Sequence, residues 1–104
     1  METGSMLAKG LRVLQHLVQH PGGEGVSDIA RAQNLPVSTT HRMLAELVAT
    51  GWVSRSPSAS YRLGPQVLLA AEAVRTAVGL SDMHSILSDL AENVLGLMEI
   101  YAPQ

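Results

Sequence analysis

The chain has 104 residues, 46% of them apolar and 15% charged, with a formal net charge of −2 and no cysteine. That length suits one small domain plus an appendage, and the apolar share is enough to bury a core, which excludes a disordered chain. Without cysteine there is no disulfide framework or thiolate metal site, as suits a reducing cytoplasm. No apolar run reaches the ~18 residues of a membrane span, and the start lacks a signal-peptide pattern.

Phenylalanine is absent and there is one Trp, so Leu, Val, Ala, Ile and Met must fill the core. The negative net charge argues at first against nucleic acid, but its distribution is uneven. Residues 1–62 hold six Lys or Arg against four Asp or Glu, leaving +2, whereas residues 63–104 hold one against five, leaving −4. Such asymmetry can mark a polyanion-facing module joined to a segment with another role.

The polar opening Met1 to Met6 carries no structural weight. A first helix is expected from about Ser5 to His20, with Leu7, Leu11, Leu14, Leu17 and Val18 as its apolar stripe. Pro21-Gly22-Gly23 stops it, and the stretch Gly22 to Gly25 reads as a flexible connector. A phosphate cradle there would need a preceding strand and a following Gly-Lys-Ser/Thr, and neither is present. Ser27 is the expected N-cap of a two-turn helix from Asp28 to about Gln33, with Ile29 and Ala30 inward. Asn34 can take the left-handed conformation that ends it, and Pro36 opens a third helix. Met43, Leu44, Leu47 and Val48 are that helix's buried stripe, and Gly51 stands where a left-handed cap belongs.

Trp52-Val53 and Tyr61-Arg62-Leu63 read as two short strands around a mobile, turn-rich Ser56 to Ser60 tip, ended by Gly64-Pro65. The segment Gln66 to about Val78 is a helix apolar on nearly every side, too apolar to be covered by its own chain. After Gly79-Leu80, Ser81 is the expected cap of a last amphipathic helix with Met83, Ile86, Leu87, Leu90, Val94, Leu97 and Met98 on its apolar face, and Tyr101 to Gln104 form a tail.

A short helix, a tight turn, a second helix and a hairpin make a winged helix–turn–helix. If Met43, Leu44, Leu47 and Val48 face inward, Ser38, Thr39, Arg42, Glu46 and Ala49 face outward. The start of such a helix meets base edges and phosphates, so Arg42 is the candidate guanine reader or phosphate clamp, with Ser38, Thr39 and His41 beside it. Arg55, near the hairpin tip, is expected on phosphate or in an A·T-rich minor groove. For Arg62 a DNA contact and a bracing contact to the first helix weigh evenly, and Lys9 and Arg12 are weaker phosphate candidates. His16 and His20 stand four residues apart, but no third ligand is evident, so no metal site is expected. No nucleophile elbow, P-loop or dinucleotide fingerprint appears, and neither an enzyme nor a cofactor is expected.

Lys9-Gly10-Leu11-Arg12-Val13-Leu14, Ile29-Ala30, Leu35-Pro36-x-Ser38-Thr39-x-x-Arg42-x-Leu44-x-x-Leu47, Gly51-x-Val53-x-Arg55 and Tyr61-Arg62-Leu63-Gly64 together resemble the amino-terminal domain of IclR-family bacterial regulators, from about Met6 to Ala73. The resemblance implies operator binding by dimers, often paired into tetramers, with the helix after the wing aiding dimerisation. It also implies a carboxy-terminal effector domain of well over a hundred residues. Only about forty residues follow Gly64, so that domain is expected to be absent here, and residues 80–104 match at most its first helix. Val37 departs from the resemblance, standing where the family often has a cation.

The expected architecture is thus mainly α: a winged helix–turn–helix over residues 6–64, with a three-helix core and a two-stranded wing. A linker or dimerisation helix follows over 65–79, then an amphipathic helix and tail over 80–104. The expected function is a cytoplasmic, homodimeric regulator binding double-stranded operator DNA. The rival is a winged-helix protein–protein interaction module that uses the same scaffold without DNA.

Overall fold

A computed structural model of the chain describes residues 4–101. The described residues form two compact units that divide between Ala70 and Ala71. The first is the winged helix–turn–helix, and its order is α1 (Met6–Val18), β1 (Glu24–Gly25), α2 (Val26–Gln33), α3 (Val37–Ala49), β2 (Val53–Arg55) and β3 (Ser60–Leu63). Helix α4 (Pro65–Ala77) runs across the division, and α5 (Leu80–Tyr101) lies in the second unit.

The head closes around one cluster of Val13, Leu17, Ile29, Met43, Leu44, Val53 and Tyr61, with Leu14, Val26, Leu35, Leu47, Val48 and Leu63 packed against it. Helix α1 presents Gly10, Val13 and Leu17 to this core. The expected stripe is therefore out of phase: of its members only Leu17 is fully buried, while Leu7, Leu11 and Val18 are 76%, 53% and 59% exposed. Two apolar stripes run side by side on this helix, and the one that faces the core runs through Gly10, Val13 and Leu17, with Gly10 beside Met43. The helix does begin where expected, and its opening residues matter: the Ser5 hydroxyl accepts from the Ala8 N–H at 3.0 Å as an N-cap.

The Gly22 to Gly25 stretch is not a free connector. Glu24 and Gly25 pair antiparallel with Tyr61 and Ser60, so the wing belongs to a three-stranded sheet ordered β1-β3-β2 rather than to a two-stranded hairpin. A two-residue strand has no periodicity to read, and only its long-range partner creates it. Because the strand runs straight into α2 at Val26, Gly25 is the N-cap, and Ser27 falls inside the helix without a capping role.

Both turns of the head end on left-handed residues. Asn34 has φ 55° and ψ 50°, and the next N–H, of Leu35, donates to the Ala30 carbonyl at 2.9 Å. Gly51 has φ 85°, with the Trp52 N–H donating back to Leu47 at 2.9 Å and its own N–H to Val48 at 3.1 Å. These are the paired bonds that close a Schellman turn. Gly64 is held against this turn, donating to the Trp52 carbonyl at 2.9 Å, and a Cβ on it would stand 2.5 Å from the Gly51 carbonyl oxygen.

The hairpin tip is ordered by its serines. The Ala59 N–H donates to Ser56 at 2.9 Å and the Ser56 N–H to Ser60 at 2.8 Å, while the Ser56 hydroxyl accepts from the Ser60 N–H at 3.2 Å. The expected mobile tip is a hydrogen-bonded turn, with Ala59 in the left-handed region at φ 62°.

Helix α4 has no buried residue, and Leu68, Leu69 and Val74 are 73%, 62% and 48% exposed. On its surface Arg75 donates to Glu72 from Nε at 3.2 Å, and the carboxylate raises the guanidinium pKa; the pair is exposed, so it adds little stability. Helix α5 begins at Leu80, one residue ahead of Ser81, which therefore is not its cap. Its Ile86, Leu87 and Leu90 are exposed. The side chains of Met83, Val94, Leu97 and Met98, and the end of the expected tail, lie outside the described residues.

Candidate nucleic-acid interface

The second helix of the helix–turn–helix, α3, is fixed from beneath. Thr40 is fully buried and its hydroxyl donates to the Pro36 carbonyl at 2.9 Å, next to Met43 and Leu44 on the same face. That pins the phase. Ser38, Arg42, Ala45 and Ala49, at steps of four, three and four, form the opposite stripe, and all four are exposed. Small alanines beside one long cation leave room for another molecule to approach the helix closely. His41 and Glu46 flank the stripe and are exposed, and Thr39 is half-buried.

The start of α3 has unspent donors. Pro36 is its N-cap and supplies no side-chain hydrogen bond, and the first N–H turned back into the helix is that of Thr40. The N–H groups of the first turn and the Ser38 hydroxyl thus sit at the positive end of the helix dipole, an arrangement that favours phosphate.

The wing contributes two arginines on opposite faces. The register pairs Val53 with Leu63, Ser54 with Arg62 and Arg55 with Tyr61, and residues directly opposite share a face. Tyr61 is buried, so Arg55 extends from the core-facing side at the end of β2, while Arg62 lies on the outer face with Ser54. Both are exposed, and neither makes a hydrogen bond or ion pair within the described residues; the same holds for Arg42. Arg62 therefore does not brace the strand against α1. Arg31, in contrast, is matched by Asp28 at 2.9 Å. Lys9 and Arg12 are half-buried on α1, and Arg12 has an interaction of its own.

At the other end of α1 the structure assembles a group that the spacing of His16 and His20 alone does not reveal. The β1–β3 register puts Glu24 on the same face as Tyr61, toward α1, and both imidazoles meet its carboxylate. Glu24 is eight residues from His16 and sits on a strand without a sequence signal, which is why no third partner is evident from the sequence.

The IclR helix–turn–helix domain matches this chain over residues 6–57. The chain belongs to the IclR family. HTH-type transcriptional regulator Rv1719 of Mycobacterium tuberculosis is 33% identical over 90 residues, covering 86% of this chain and 34% of that protein. Among solved structures, an IclR transcriptional regulator of Silicibacter sp. TM1040 is 32% identical with a TM-score of 0.68, over 84% of this chain and 34% of that one. The IclR protein of Thermotoga maritima is 27% identical with a TM-score of 0.64, over 84% and 36%. The chain spans about a third of the length of these relatives. What it carries is the family's helix–turn–helix domain, and the matched relatives are transcriptional regulators. Among the described residues no helix is long and apolar enough to cross a membrane.

Proposed function

We propose that the chain binds duplex DNA in a sequence-specific manner as a homodimer, working as a cytoplasmic transcriptional regulator. The observation that carries the reading is the start of α3, where an exposed, unpartnered Arg42 stands between Ser38 and Ala45 above a helix end with free donors. In this reading α3 lies in the major groove, with Arg42 on a guanine edge and Ser38, Thr39 and His41 on base edges or phosphate. Arg55 and Arg62, on opposite faces of the wing, reach backbone or minor groove on either side of it, and Lys9 and Arg12 add weaker attraction from α1.

Pairing is supported by what the head leaves uncovered. Leu7, Leu11 and Val18 on α1 and Leu68 and Leu69 on α4 are more than half exposed, and apolar side chains left open in this way favour association. A two-fold contact is the commonest way to cover such a surface, and it sets two recognition helices roughly 34 Å apart, or a multiple of that, to match a palindromic site. Selection of bound duplexes from a random pool tests the reading. The expected result is a two-fold symmetric consensus whose affinity falls steeply with salt. Absence of DNA binding at low salt would overturn it in favour of a protein-interaction module.

A further inference from the structure

His16, His20 and Glu24 offer ligand atoms that all lie within 4.8 Å of one another. We infer that these three side chains bind a divalent transition metal of the zinc type, clipping the end of α1 to the edge strand of the wing sheet. The inference is independent of how the head meets DNA.

The geometry supplies the reason. The His20 Nδ1 stands 2.9 Å from the His16 backbone carbonyl. A carbonyl oxygen only accepts, so Nδ1 must carry the proton and donate it. A neutral His20 then has a bare lone pair on Nε2, and that atom faces the Glu24 Oε2 at 3.5 Å. A lone pair facing a carboxylate oxygen needs a cation between them. His16 directs its own Nε2 at the other oxygen, Oε1, and the two rings stack with centroids 4.2 Å apart. The two imidazoles therefore meet the two oxygens of one carboxylate, and the cation that joins them is a metal ion or a proton.

The details favour the metal. Two imidazoles and one carboxylate make a donor set suited to zinc-type ions, with the fourth position left to water. Metal–ligand bonds of ~2.0–2.2 Å put tetrahedral ligands roughly 3.4 Å apart, close to the His20–Glu24 separation, while His16, in direct contact with Oε1, must draw back to admit the ion. The hydrogen bond from His20 Nδ1 to a backbone carbonyl is the outer contact that orients a metal-bound imidazole and fixes its tautomer. The side chains of His16 and Glu24 are 13% and 21% exposed, sheltered enough to hold an ion yet open to its entry, and His20, at 39%, forms the mouth.

The test uses the intact, untagged chain with Co2+ and Zn2+ as probes. Cobalt should bind one to one and give the visible absorption of a four-coordinate ion, and zinc should displace it and raise the melting temperature. His16→Gln, His20→Gln and Glu24→Gln should each lower affinity by ~10-fold or more, with far-ultraviolet circular dichroism reporting that the variants remain folded. His84→Gln, outside the cluster, should leave the affinity for cobalt and zinc unchanged. A wild-type chain that gives no cobalt spectrum and no zinc-dependent melting shift at roughly hundredfold excess of metal overturns the inference, leaving the proton as the cation of the cluster. Binding that survives in the folded triple variant overturns it as well, because the metal then sits on other histidines.

Discussion

The head and the helices after it are built on opposite principles. In the head, α1, α2, α3, β2 and β3 turn apolar side chains onto one cluster, and Val13, Leu17, Ile29 and Leu44 are completely buried. In α4 and α5 the helices are as long or longer and as apolar, yet α4 buries nothing and Leu68, Leu69, Ile86, Leu87 and Leu90 are exposed. Apolar content does not make a core; convergence does. The core of the head closes within the chain, whereas α4 buries none of its apolar residues, and the dimer proposal covers them with a second copy.

The contrast can be broken first at Leu44. Leu44→Ala should cost the head about 2–5 kcal/mol, from lost burial plus a cavity that short elements cannot collapse into, as read by chemical denaturation. Gly64→Ala should follow at about 1–3 kcal/mol or somewhat more, because its Cβ would press on the Gly51 carbonyl and the Val53 backbone, which cannot rotate away. Leu69→Glu should leave the denaturation midpoint of the head within ~0.5 kcal/mol while converting dimers to monomers in sedimentation equilibrium. A wild-type monomer at tens of micromolar, roughly the range of a weak dimer, would remove the second copy from the account. Arg55→Ala should have the smallest effect, reducing the salt slope of DNA binding by ~0.9 with base preference intact.

Much of the head is legible in the sequence, and the reasons are local. Asn34 and Gly51 announce left-handed turns because few other residues tolerate them, and the outward phase of Ser38 and Arg42 follows from the inward phase of Met43 and Leu44. What escapes is non-local. The phase of α1 rests on what Gly10, Val13 and Leu17 meet in the rest of the head, Met43 among them, against a second apolar stripe that local spacing favours equally. Strand β1 exists only because β3 pairs with it, and the meeting of Glu24 with His16 and His20 depends on that pairing. The opposed faces of Arg55 and Arg62 likewise follow from a register set by the four-residue turn between β2 and β3, which the alternation of so short a hairpin does not specify.

If the exposed start of α3 reads base pairs, as proposed, Arg42 is the side chain whose loss must show it. Affinities of the intact chain and of Arg42→Ala are to be measured against the selected duplex and against single-base variants of it. Arg42→Ala should weaken binding to the selected duplex by about 1–3 kcal/mol and abolish preference at one base-pair position in each half-site, with the other positions unchanged. An unchanged consensus together with unchanged affinity would rule out α3 as the reading helix, since the head would then meet DNA through another face.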